Sequence, residues 1–441
     1  MVKQIMATGI TKNSWIENSC IIPNETYFGD YSYEIVYPDK YSISQILHHQ
    51  PQNEYTELFH EHDVNKIYFG ENFDVLCNLL HIQNYRNKIN LIYIDPPFGT
   101  NSIFQTRNQR NSYKDDLIGS HYFEFMRRRL ILLRELLSDT GSIFVHLDNN
   151  MTFQIKLVMD EIFGSKNFRG FITRKKCSTK NYTKNTFGNI SDYILFYSKA
   201  DSYKWHRPTE IWLDDKIDKE YPYIDEATGR RYKKVPIHAP GKRNGETGKQ
   251  WKGMFPPPGK HWQYTPETLT ELDNKGEIYW SSNGNPRRKV FFDEDKGIPV
   301  QDIWLNLQDS LNQNIKITGY PTEKNPYLLE RIIKAVSDEG DIVLDCFAGS
   351  GSTLDVANQL GRNFIGIDNS FEAISSIVKR FCLGLEEMGD YVNNNNKEQG
   401  LFVFSPQEFY NSNNATKTTF SYFCDYRYID LSTDLLDKYF I

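Results

Sequence analysis

The sequence predicts an α/β protein, an open and mostly parallel doubly wound sheet with helices on both faces, interrupted by an irregular insert. Three observations predict it. Short apolar strands alternate with amphipathic helices from Lys66 to about residue 200, and the alternation resumes from Asn325 to Arg380. Two of the strands, "LIYID" and "IVLD", end in an aspartate followed by a stiff or glycine-rich turn. Between the two halves, residues 201–312 lose the period and fill with Trp, Tyr, Pro, Gly and basic side chains.

Taken in order, residues 1–64 alternate polar and aromatic positions without a motif and read as an N-terminal extension. "KIYFG" is a short strand, "FDVLCNLL" a helix and "INLIYID" a buried strand. In "SHYFEFMRRRLILLRELLSDTG", Tyr122, Phe125, Met126, Leu130, Leu133 and Leu137 keep helical spacing, Ser120 is suited to cap the helix and Gly141 to end it. "SIFVHLD" and "DYILFYSK" are strands on either side of a helix at "FQIKLVMDEIF", completing a first half over 65–200. Within the insert, only "TPETLTELDNKG" reads as a long helix. The second half, 313–385, holds a helix at "NPYLLERIIKAV" with Pro326 in its first turn, the strand "IVLD", a helix from about Ser352 and the strand "NFIGID". Residues 386–441, with "NNNNKEQG" near their start, read as a linker and a tail.

The 441 residues are 39% hydrophobic, enough for a large core, and no run approaches the ~20 apolar residues of a membrane span. The start, "MVKQIMATGITKNSW", lacks the apolar core of a signal peptide, so the expected location is cytoplasmic. Six scattered cysteines argue against a disulfide framework. "HEH" at residues 60–62 has no second ligand pair near it, so no metal is expected. A net charge of −6 weighs mildly against nucleic acid, but binding needs only a local basic face. The 28 Tyr and 28 Phe exceed ordinary core needs and suit stacking on bases.

"IVLDCFAGSGSTLDVA" is a strand, a glycine-rich turn and the start of a helix. Gly349 and Gly351 let the backbone approach a ligand at the strand's carboxyl end, where open parallel sheets bind cofactors. Asp368, ending the next strand, is placed to accept ribose hydroxyls. NAD, FAD and S-adenosylmethionine all fit this much. A dinucleotide fingerprint calls for a third glycine where Leu354 stands, which disfavours a pyrophosphate. Asp345 at the strand tip suits a ligand with positive charge, and S-adenosylmethionine carries an ammonium and a sulfonium.

The other turn, Asp95-Pro96-Pro97-Phe98, presents only acceptors, because proline has no N–H and its φ is fixed. Such a corner suits a substrate that offers only donors, such as the –NH2 of a nucleobase. Acceptors that bind its hydrogens stabilise the positive charge developing as the nitrogen attacks a methyl group. Phe98 offers a flat face for a base swung out of the helix.

With these two motifs in one chain, the sequence resembles the DNA amino-methyltransferases of the permuted beta class over roughly residues 65–380. In that family the catalytic D-P-P-[YF] precedes F-x-G-x-G, with a target-recognition domain between, which is the order of "DPPF", the insert and "FAGSG" here. The resemblance implies a Rossmann-like S-adenosylmethionine-dependent methyltransferase fold with an inserted target-recognition domain. It implies catalytic roles for Asp95, Pro96, Pro97 and Phe98. Around the cofactor it implies Glu71, Asp95, Asp345, Phe347, Ala348, Gly349, Ser350, Gly351, Ser352, Thr353 and Asp368. "GYPTEKNPYLLERII" resembles the segment over the methionine end, with Thr322, Glu323 and Lys324 at matching positions and Asn325 where members more often have proline. The activity implied is site-specific methylation of adenine N6 in double-stranded DNA with base flipping, in a restriction-modification system. Members acting on cytosine N4 often have Ser in place of Asp95. RNA and protein-glutamine methyltransferases share Pro-Pro corners, and a non-catalytic DNA-binding homologue is the reading from another class.

DNA would meet basic clusters near these motifs: Arg107 and Arg110, Arg174-Lys175-Lys176, Arg230 and Arg231, and Arg287-Arg288-Lys289, with Trp251 and Trp262 beside them. No nuclease motif stands out, so a restriction endonuclease partner, if there is one, is expected to be a separate chain. The resemblance also admits a homodimer.

Overall fold

The computed structural model describes residues 34–60, 64–97, 119–178, 185–309, 324–383 and 420–440, and the backbone of 103–105 and 111–114. Phe98, Arg107, Arg110, Thr322 and Glu323 therefore lie outside the described residues. Two compact units emerge, one spanning Thr209–Val300 and the other containing most of the rest of the chain.

The larger unit is built on ten described strands. They are β1 (Tyr55–Phe59), β2 (Lys66–Phe69), β3 (Ile89–Ile94), β4 (Leu137–Leu147), β5 (Phe168–Lys175), β6 (Ser191–Ser198), β7 (Ile303–Trp304), β8 (Ile342–Asp345), β9 (Asn363–Asp368) and β10 (Ser421–Asp425). Their order across the sheet is β1-β10-β2-β9-β8-β3-β4-β6-β5-β7. From β10 to β4 all neighbours are parallel, while β1, β6 and β5 join antiparallel. The helices are α1 (Ile43–Leu47), α2 (Asn72–His81), α3 (Gly119–Leu136), α4 (Thr152–Phe163), α5 (Pro326–Val336), α6 (Ser352–Gln359), α7 (Phe371–Leu383) and α8 (Ile429–Phe440).

Leu91, Ile92, Val343 and Leu344 are fully buried, as the near-continuous apolar runs of β3 and β8 require for strands covered on both faces. These strands pair directly, Val343 opposite Leu91 and Leu344 opposite Ile92. The chain leaves β3 towards β4 and leaves β8 towards β9, in opposite directions along the sheet. A crevice opens at such a switch point, at the carboxyl ends of the strands. Asp95 and Asp345 stand there.

Three features differ from the sequence reading. Gly141 does not end a helix: α3 stops at Leu136 and Gly141 lies inside β4. A Cβ there would come within 3.0 Å of the Ile89 carbonyl oxygen, so glycine permits the close pairing of β3 and β4. The tail is also part of the fold, since β10 inserts between β1 and β2 and Phe423 stacks on Tyr68 at 4.8 Å. Part of the N-terminal extension folds too. Asp74 on α2 accepts from the Gln52 and Asn53 amides and the Tyr55 hydroxyl, and Lys40 pairs with Glu161 on α4 at 2.8 Å.

The smaller unit has an antiparallel sheet in the order Tyr223–Ile224, Arg231–Pro236, Pro286–Phe291, Ile278–Trp280. The longer of its two described α-helices, Pro266–Asn274, has Thr265 as N-cap and proline at its first position, as the sequence signature requires. Ile237, Trp251, Trp262, Leu269 and Ile278 form its core.

Candidate active site

At the carboxyl ends of β3, β8 and β9 lies a cavity of about 270 Å³. Asp95, Pro96 and Pro97 line it together with Glu71, Lys324, Asp345, Phe347, Ala348, Gly349, Ser350, Ser352, Thr353 and Asp368. The fold thus brings the Asp-Pro-Pro corner and most of the described residues expected around a cofactor to one place.

Asp95 has two distinct oxygens. Lys324 Nζ lies 2.9 Å from Oδ2. Oδ1 is buried and has no hydrogen-bond partner among the described residues. An orphaned carboxylate oxygen is costly, and its place in the cavity wall calls for an explanation. Beside it, Pro96 and Pro97 bring no backbone donor of their own.

Asp345 ends β8 with its carboxylate accepting from the Phe347 amide at 3.0 Å. Burial pushes its pKa up to about 7, the Asp95 and Asp368 charges add to the rise, and bonds from Thr353 and Phe347 oppose it. Asp368 holds the loop itself, accepting from the Gly349 and Ser370 amides at 2.9 Å each.

Gly351 does not line the cavity; it is the N-cap of α6 at φ +77°, where an added Cβ would sit 2.8 Å from Ile377 Cγ1. The missing third glycine also has an explanation. Leu354 packs onto Gly366 of β9, where a Cβ would come within 2.3 Å of Leu354 Cδ1, so the strand rather than the helix supplies the clearance.

Glu71 caps α2, accepting from the Asp74 amide at 3.1 Å, and pairs with Arg129. Arg129 was not singled out in the sequence, yet it organises this wall. It donates to Asn72 Oδ1 at 2.6 Å and to the Phe125 carbonyl at 2.9 Å, and lies 3.5 Å from the centre of the Phe125 ring. Asn72 in turn donates to the Cys346 carbonyl at 2.8 Å, tying α2 to the loop after β8. An arginine within the apolar stripe of α3 was the readable signal. Arg380, from α7, clamps the glycine loop through the Ser350 carbonyl at 2.9 Å and Asp355 at 3.1 Å. Its position after the last motif gave no signal.

The basic clusters fare differently. Arg174 is a correction: it is fully buried, 3.0 Å from Asp192 and 2.5 Å from Asp309, and cannot reach a phosphate. On alternating β5, Lys175 is partly exposed, as is Lys176 just beyond the strand. In the smaller unit, Arg230 and Arg287 are exposed and Arg231 pairs with Asp218 at 2.8 Å. Arg288 donates to the Tyr264 hydroxyl at 2.5 Å and Lys289 pairs with Asp225 at 2.6 Å. Trp251 and Trp262 are core residues, and each indole N–H finds an acceptor there, the Thr270 hydroxyl and the Lys249 carbonyl. Among the described residues no three His, Cys, Asp or Glu side chains gather as a metal site, and no helix is long and apolar enough to cross a membrane.

A glycine loop and a proline-stiffened acidic corner thus meet at the sheet's switch point. The DNA methylase family matches residues 89–379, from β3 into α7, and the chain belongs to that family. Its relatives are restriction-modification methyltransferases. Over 321 residues it is 51% identical to the Type II methyltransferase M.EcaI of Enterobacter cloacae, covering 73% of this chain and 71% of that protein. It is 30% identical to the StyLTI Mod subunit, a Type III restriction-modification enzyme of Salmonella typhimurium, covering 71% of this chain but only 52% of that one. Among solved structures, the M1.HpyAVI–SAM complex matches with a TM-score of 0.40 and 17% identity, over 72% of this chain and 99% of that one.

Proposed function

We propose that this DNA methyltransferase moves the methyl group of S-adenosylmethionine to the exocyclic N6 amine of adenine in duplex DNA, with the base turned out of the helix. The observation that carries the reading is the buried, unpartnered Asp95 Oδ1 in a corner without backbone donors. Lys324 holds the other oxygen, so the free one is fixed in direction. It accepts an N–H of the amine and stabilises the charge that grows on nitrogen as the bond to carbon forms. Bound S-adenosylmethionine supplies an electrophilic methyl on a sulfonium. The residues fit that group: the Asp345 carboxylate suits a cationic end, Glu71 and Asn72 line the same cavity, and no pyrophosphate-type third glycine is present. The aspartate at the corner supports adenine, because resemblance to cytosine N4 enzymes implies serine there. Digestion of treated duplex DNA to nucleosides should yield N6-methyladenine by mass spectrometry. N4-methylcytosine instead would overturn the base assignment. The relatives' place in restriction-modification supports a cognate endonuclease on a separate chain.

Cofactor affinity is expected to depend on pH through Asp345. The folded carboxyl holds its proton up to about 7 against an ordinary 3.8, so the unliganded fold is favoured below that window and loses this contribution as pH rises through about 7. A cationic ligand prefers the ionised form, so its affinity should rise over the same window, with a proton released on binding near or below pH 7. Calorimetry in buffers of different ionisation enthalpy would show this, and Asp345→Asn should remove the pH step.

Within the insert, Arg287 supports a phosphate contact, being exposed and without an ion pair among the described residues. Arg287→Ala should reduce the slope of log affinity against log salt by about 0.9 on duplex DNA, read by fluorescence anisotropy. Arg288→Ala should leave the slope in place, because that guanidinium is spent on Tyr264 and Glu277.

A further inference from the structure

We propose that Tyr93, His146, Asp192 and Arg174 are positioning residues for the transfer step, a buried chain that fixes Asp95 from both sides. The four come from neighbouring strands, β3, β4, β6 and β5, and all are buried. Tyr93 lies in the cavity wall two residues before Asp95. Its hydroxyl is 2.7 Å from His146 Nδ1. His146 Nε2 lies 2.9 Å from Asp192 Oδ2. Arg174 donates to the same oxygen at 3.0 Å.

From there the chain turns back to the catalytic corner. Arg174 also donates to the Leu307 carbonyl and to Asp309, at 2.5 Å each. Between those residues, the Gln308 carbonyl accepts from Asn325 Nδ2 at 2.8 Å. Asn325 follows Lys324, whose ammonium holds Asp95 Oδ2. The contacts therefore close a circuit that leaves Asp95 through Tyr93 and returns to it through Lys324.

A set of apolar side chains would fill this layer without the desolvation cost of a buried ion pair, and often with equal or greater stability. What a closed polar circuit adds is direction. It fixes the strand end that carries Asp95 and the segment that carries Lys324 relative to each other. A free carboxylate oxygen must meet an amine within a few tenths of an ångström, and a misplacement of about 1 Å can cost ~10²-fold in rate.

The inference rests on Asp95 as the acceptor of the amine, and the experiment separates the two. Single-turnover methyl transfer to duplex DNA is measured for Tyr93→Phe, His146→Leu and His146→Gln, with the affinity of S-adenosylhomocysteine determined by calorimetry and Asp95→Ala as control. Tyr93→Phe and His146→Leu should each lower the transfer rate roughly tenfold or more, with cofactor affinity kept within about twofold. Their combination should lose no more than the worse single variant, because both break one chain. His146→Gln should recover most of the rate, since its amide can accept from Tyr93 and donate to Asp192. Should His146→Leu fail to fold, Tyr93→Phe decides alone, because it removes one oxygen and no packing atom. A folded Tyr93→Phe enzyme with the parent rate, or with a rate loss matched by weakened cofactor binding, would overturn the proposal. An active Asp95→Ala enzyme would instead overturn the reading of the site itself.

Discussion

Asp95→Ala is expected to slow methyl transfer to DNA by about 10²–10³-fold, the loss found when one preorganised electrostatic partner is taken from a transition state. The physical reason lies in the two oxygens. Oδ2 is committed to Lys324, while Oδ1 is buried without a partner among the described residues and is, in the function proposed above, the acceptor of the substrate amine. Asp95→Asn should lose nearly as much, because an amide N–H facing the amine offers a donor to a donor. Cofactor affinity should change little by comparison in both, since the interaction removed is the one proposed with the substrate amine. Single-turnover assays with saturating cofactor, beside calorimetry, separate the two quantities.

Arg174→Ala is expected to cost about 3–5 kcal/mol of stability, because it leaves the Asp192 carboxylate buried without its cation. The sequence placed this residue in a basic cluster on the DNA. The structure places it 0% exposed between Asp192 and Asp309. The charge of Asp192 bears this out: burial alone would raise its pKa, but His146, Arg174 and Lys324 together hold it well below the ordinary carboxylate range. A chemical-denaturation curve measures the loss directly. A variant as stable as the parent with a reduced salt slope for DNA would restore the sequence reading.

That contrast shows which parts of the molecule were legible before folding. The strands β3 and β8 were readable because their apolar runs are short, buried on both faces and closed by informative turns. The Asp-Pro-Pro corner and the glycine loop stood out because proline fixes φ and removes a donor while glycine frees φ, wherever they stand. Arg174 was misread because "RKK" shows charge but not direction, and in a strand alternate residues face opposite sides. Arg129 and Asn72 were missed because their value depends on meeting Glu71, Phe125 and Cys346 across helices and a loop. The tail strand β10 was missed because five residues after a polar linker carry too little pattern, whereas its place between β1 and β2 is decided by the sheet.

The structure of this enzyme with its duplex DNA and S-adenosylhomocysteine tests the role of Asp95 Oδ1 most directly. The target base should be turned out of the helix, with its exocyclic nitrogen at about 3 Å from Asp95 Oδ1, within ordinary N–H···O range. A complex in which the target amine meets other acceptors, while Asp95 Oδ1 still has no partner, would contradict it.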